Sequence, residues 1–118
     1  MGGGELVRAA LESLNTDVEG WFGRLADDVT YEPFGLVGID AVRQADGQFL
    51  GSFAQHHRVV ERLLEDGDRV YVWLRFTGTR ADGTQLELET NNHYVVRDGK
   101  ITSMTLFFSA EALGAAFA

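Results

Sequence analysis

The sequence predicts an α+β domain in which three helices pack on a curved antiparallel or mixed sheet. Three observations carry that prediction. Apolar residues recur at three- and four-residue spacing from Leu6 to Phe53, the spacing of a helix face. The period then changes to two, the alternation of half-buried strands. Two Asp-Gly pairs, Asp82-Gly83 and Asp98-Gly99, divide the alternating part into runs of strand length, as hairpin turns do. Helices and strands segregated along a chain pack as separate layers. At 118 residues and 45% hydrophobic content, the chain is expected to be one domain with a sizeable core.

The elements follow in order. Leu6, Val7, Ala10, Leu11 and Leu14 make one face of a first helix over 5–15. Asp17 is placed to cap a second helix, over 18–25, with Trp21, Phe22 and Leu25 inward. Ala26-Asp27-Asp28 closes it, and 29–32 is a short strand. Phe34 to Gly38 reads as a loop. Ile39, Val42, Phe49, Leu50 and Phe53 place a third helix over 39–53, with Asp40 near its start. Strands follow over 57–64, 69–80, 85–97 and 100–109, and a short closing helix over 111–117. A long sheet curved around helices on its concave side forms a cone with an apolar pocket, so the expected ligand is a hydrophobic small molecule.

Composition removes several classes. The chain has no cysteine, which excludes disulfides, thiolate metal sites and thiol nucleophiles. No metal site is expected from the histidines either: His56 and His57 are adjacent on a strand and point to opposite faces. The net charge is −8 and Lys100 is the only lysine among ten basic residues, so a phosphate backbone would be repelled and nucleic acid is not an expected partner. No apolar run reaches the length of a membrane span. Met1-Gly2-Gly3-Gly4 lacks the pattern of a signal peptide and reads as a disordered or appended segment. Cytoplasmic location is the default expectation.

Glu32 is the residue with the most chemical promise. It lies between Tyr31 and Phe34 and directly before Pro33. A carboxylate in apolar surroundings has a raised pKa and becomes a usable proton shuttle; the competing reading is a strand-end Glu in solvent. Strand parity supplies further candidates. If Asn92 faces the pocket, Leu88, Thr90 and Tyr94 share its face, while His93 points to the convex side. An amide on such a face is either bonded within the core or a ligand contact. Tyr31, Phe34, Phe53 and Phe107 are the aromatic candidates for the pocket wall. Trp73 and Phe107 fit the outer face equally well, and aromatics there favour a homodimer through the convex face.

The chain resembles the NTF2-like superfamily, in the branch of ketosteroid isomerases and SnoaL-like polyketide cyclases. Three stretches carry the likeness: Ala10 to Asp17 running into Leu25 to Pro33; Gly38-Ile39-Asp40-Ala41-Val42-Arg43; and Asn92 to Ile101. The resemblance implies a cone-shaped fold and cofactor-free chemistry. It places the catalytic acidic residue at Glu32, before Pro33, and an oxyanion-stabilising donor at Asn92, before His93. The family's helix-one tyrosine falls at Ala10, a departure that puts steroid isomerisation itself in doubt. Two further roles belong to the same fold: a non-catalytic binding or assembly module, and an epoxide hydrolase of the limonene type. The last requires an Asp-Arg-Asp set, for which Asp40 and Arg75 are the nearest candidates without a convincing match. The leading expectation is an isomerase or cyclase in which Glu32 abstracts a proton beside a carbonyl and Asn92 stabilises the enolate.

Overall fold

A computed structural model describes residues 2–108. Helices α1 (Gly3–Ser13) and α2 (Val18–Phe22) come first, followed by strand β1 (Leu25–Glu32) and a two-residue strand β2 (Leu36–Val37). Helix α3 (Ile39–Gly51) leads into four long strands, β3 (Phe53–Asp66), β4 (Arg69–Arg80), β5 (Gln85–Arg97) and β6 (Lys100–Phe107). They form one six-stranded sheet in the order β2-β1-β6-β5-β4-β3. All neighbours are antiparallel except β1 and β6, which run parallel. The sheet is mixed and α+β, as expected. No described helix is long and apolar enough to cross a membrane.

Several boundaries differ from the sequence reading for local reasons. The second helix stops at Phe22, because the chain extends at Leu25 to pair with Ile101 of β6. Asp27 and Asp28 therefore lie within β1 as exposed residues, not in a helix-closing turn. Leu36–Val37 is a strand rather than loop, held against Thr30 and Tyr31. Phe53 opens β3 and is not in α3, which ends at Gly51. Gly3 and Gly4 belong to α1, and the Gly4 N–H donates to the Glu65 carboxylate. The closing helix expected over 111–117 lies outside the described residues.

The Asp98-Gly99 turn is built as the dipeptide dictates. Both residues have positive φ, 52° and 73°, the requirement of a two-residue turn matching strand twist. That turn pairs Arg97 with Lys100 and Val96 with Ile101, and a bulge beyond them shifts the ladder by one residue, so that Tyr94 pairs with Met104 and Asn92 with Leu106. The main core packs α1 and α2 on the concave face of the sheet through Val7, Ala10, Leu11, Trp21, Phe22, Val72 and Ile101, among others.

A smaller cluster of Phe53, Phe76 and Leu88, with Phe49 against it, closes the far end. Its shape depends on Gly78. A Cβ there would lie 2.6 Å from Phe53 Cδ1 and 2.7 Å from Cε1, closer than side chains pack. Gly78→Ala is expected to displace the Phe53 ring and lower stability by about 1–3 kcal/mol, read by urea denaturation. An unchanged midpoint would show that the ring moves freely.

Candidate functional site

The helices and the concave face of the sheet enclose a cavity of about 240 Å³. Its wall is mostly apolar, from Leu11 of α1 and Leu14 just after it, Leu36 of β2, Phe49 and Leu50 of α3, and Leu74, Phe76, Leu88, Met104 and Leu106 of the sheet. Among the described residues, six polar side chains reach it: Tyr31, Asp46, Arg58, Thr90, Asn92 and Tyr94. An apolar cavity with a few convergent polar groups is the usual form of a small-molecule site. Among the described residues, no group of three or more His, Asp or Glu side chains is arranged to hold a metal.

Among the described residues that line the cavity, Asp46 is the only carboxylate. It sits on the inward stripe of α3 with Val42, Phe49 and Leu50, at helical spacing. Burial raises its pKa from 3.8 to about 6, more than the Trp21 hydrogen bond and the Arg58 charge lower it. The Trp21 indole Nε1–H donates to Asp46 Oδ2 at 3.1 Å and fixes the carboxylate's orientation.

Arg58, on β3, is 6% exposed. Asn15, just beyond α1, clamps it at three points. The Arg58 backbone N–H donates to Asn15 Oδ1 at 2.9 Å, the Asn15 amide donates to the Arg58 carbonyl at 3.0 Å, and Arg58 Nη1 donates to Asn15 Oδ1 at 3.2 Å. The guanidinium also lies over the Phe76 ring, 5.3 Å from its centroid, and Nη2 is 3.4 Å from His56 Nδ1. Burial lowers its pKa to about 10, opposed by Asp46, Tyr94 and Tyr31, so the group stays cationic at neutral pH.

Asn92 and Tyr94 share the inward face of β5 and act as a pair. Asn92 Nδ2 donates to the Tyr94 hydroxyl at 2.8 Å, and Asn92 Oδ1 has no partner among the described residues. Because the phenol accepts this bond, its own hydrogen is available to another acceptor. Burial pushes the Tyr94 phenol well up, so it remains a neutral donor across the usual pH range. Tyr31, on β1, is pushed up for the same leading reason.

The residues expected at the site divide in two. Tyr31, Phe34, Leu88, Thr90, Asn92 and Tyr94 all line the cavity. Phe53 does not; it packs behind the wall with Phe76 and Leu88. Phe107 also lies elsewhere: 51% exposed, it stacks on His93 at 4.6 Å on the outer face of the sheet. Glu32 is exposed and absent from the cavity wall. Strand alternation is the reason: with Tyr31 turned inward, its neighbour on β1 turns out. Asp40 is exposed at the start of α3, and Arg75 lies in an exposed cluster with Glu61, Glu87 and Glu89.

The sequence reading did not single out Asp46, Arg58 or Asn15. For Asp46 a signal existed, a lone acid on the apolar stripe of α3. Arg58 and Asn15 carried none, since their meeting depends on α1 lying across β3.

The chain matches the family model described as SnoaL-like domain over residues 7–104. A search of curated protein sequences returns no match. Solved structures with the same fold include a putative SnoaL-like polyketide cyclase from Jannaschia sp. CCS1, with TM-score 0.82 and 19% identity over 97% of this chain and 90% of that one. TerC co-crystallised with polyporic acid aligns with TM-score 0.81 and 21% identity over 98% of each chain. An LEH-like epoxide hydrolase from M. tuberculosis aligns with TM-score 0.81 and 19% identity over 97% and 87%. At these identities the likeness to each is one of fold. With the family model spanning most of the chain and the helices, mixed curved sheet and cavity in place, the protein belongs to the SnoaL-like domain family and has an NTF2-like fold.

Proposed function

We propose that the protein is a cofactor-free isomerase or cyclase that transfers a proton on a hydrophobic carbonyl compound held in the cavity. The observation that carries this reading is a carboxylate in an apolar cavity, that of Asp46, with a pKa raised to about 6 and a phenol donor in the same wall. A base titrating just below neutrality is ionised at pH 7 yet basic enough to take a proton beside a carbonyl. The role expected for Glu32 thus passes to Asp46. The enolate oxygen receives the Tyr94 hydrogen, and Asn92, by donating to the phenol oxygen, orients that phenol and makes its hydrogen a stronger donor. Double-bond migration and aldol-type ring closure both begin with this step.

The test is exchange of the protons beside the carbonyl of β-tetralone in deuterium oxide, followed by proton NMR with the wild type and Asp46→Asn. Enzyme-dependent exchange that the substitution removes supports the reading; no exchange above buffer sinks it.

Epoxide hydrolysis is a second reading, favoured by Asp46 and Arg58 lining one cavity. Among the described residues no second carboxylate of an Asp-Arg-Asp set lines the cavity, and turnover of a cyclic epoxide would establish this reading in place of the first. A homodimer through the convex face is supported by the Tyr71–His93–Phe107 aromatic row on that side.

A further inference from the structure

Arg58 has more binding capacity than the fold uses. A guanidinium carries five N–H donors. The hydrogen bonds of the described residues engage two of them, one with Asn15 Oδ1 and one with His56 Nδ1. Arg58 forms no ion pair with any described carboxylate, although Arg8, Arg43, Arg75 and Arg97 all do so at the surface. A charge this buried normally has a counter-ion, because desolvation without one is costly. The Asn15 clamp and the Phe76 ring hold the group rigidly at the cavity wall without neutralising it.

We infer that the substrate is itself an acid: an apolar, ring-sized carbonyl compound bearing a carboxylate that docks on Arg58. This rests on the cavity being a substrate site, as proposed above, and names the class of molecule that enters it. Asp46 does not serve as the missing counter-ion. It makes no ion-pair contact with Arg58, and its pKa stays high despite the nearby cation. The charged and titratable groups around the two are Tyr31 from β1, His56 from β3 and Tyr94 from β5; the phenols are neutral, and burial together with Arg58 disfavours the His56 cation. Arg58 is therefore the one positive charge offered to an incoming ligand among the cavity-lining residues. Planar carboxylates match a guanidinium fork, which selects a carboxylate over an uncharged amide of the same shape. The cavity of about 240 Å³ exceeds the roughly 150 Å³ space that holds a benzene ring, so a fused bicyclic ring is a fair probe.

The experiment is calorimetric titration of the full chain at about pH 8 with naphthoate and with its neutral isostere, naphthalene carboxamide. The wild type should bind naphthoate about tenfold or more tightly than the carboxamide. Arg58→Met should erase that preference while leaving carboxamide affinity within about threefold. Asp46→Asn should keep or widen it, because the opposing carboxylate charge is gone. Should Arg58→Met fail to fold, Arg58→Lys, which retains the charge but not the fork, should show a reduced preference. Equal or tighter carboxamide binding by the wild type overturns the inference, as does failure of both probes to bind at millimolar concentration. The two proposals separate cleanly. Carboxylate preference without β-tetralone exchange leaves a binding site for acids and removes the enzyme reading. Exchange without preference removes only the role of Arg58.

Discussion

Asp46→Asn is expected to slow exchange of the β-tetralone protons by about 10²–10⁴-fold, the span that loss of a positioned general base covers. Asparagine has nearly the shape of aspartate, and its carbonyl oxygen can still accept the Trp21 hydrogen bond, so the cavity should keep its form. What disappears is the basic oxygen. Tyr94→Phe removes the enolate donor and should cost about 10²–10³-fold by itself. Glu32→Gln, at an exposed position outside the cavity, should stay within about twofold of the wild type. The wild-type rate should rise with pH through about 6, where Asp46 ionises, and level off above. Rates from the three variants across pH decide the assignment. A Glu32→Gln loss as large as that of Asp46→Asn would return the base to the end of β1.

The contrast between Glu32 and Asp46 shows what the sequence alone makes legible. The change from helical to alternating period and the Asp-Gly turns located the sheet, and parity along β5 placed Leu88, Thr90, Asn92 and Tyr94 on one inward face. The same parity on β1 makes Tyr31 and Glu32 point apart, so an inward Tyr31 was already an argument against Glu32. The resemblance outweighed that argument, because it marks a position in a motif and not the direction of a side chain. Asp46 was legible in principle from its place among Val42, Phe49 and Leu50. Arg58 was not. Its burial and its clamp come from residues 43 positions apart in the chain, and no local pattern announces that meeting. Phe107 was misplaced for a different reason: near a strand end, alternation alone does not say which face is concave.

The proposed base should also be visible in stability, with the opposite sign to its effect on rate. Asp46 holds its proton more tightly in the folded protein, about 6 against 3.8, because burial penalises the carboxylate. At this site the folded state therefore binds more protons than the unfolded chain between these values, and the Asp46 contribution to stability falls as pH rises across them. Its contribution is fully present below about pH 4 and lost above about pH 6. The rise from 3.8 to about 6 corresponds to roughly 3 kcal/mol at neutral pH, a figure that already includes the attraction of Arg58 and the Trp21 hydrogen bond. Asp46→Asn should then be more stable than the wild type by up to about 3 kcal/mol near pH 8 and indistinguishable from it near pH 4, in urea denaturation at both values. A gain independent of pH would mean that better packing, not relief of a buried charge, is responsible. The same ionised oxygen that the proposed reaction needs is the one the fold holds at a cost, so a variant that gains stability only where Asp46 is charged should be the one that loses exchange.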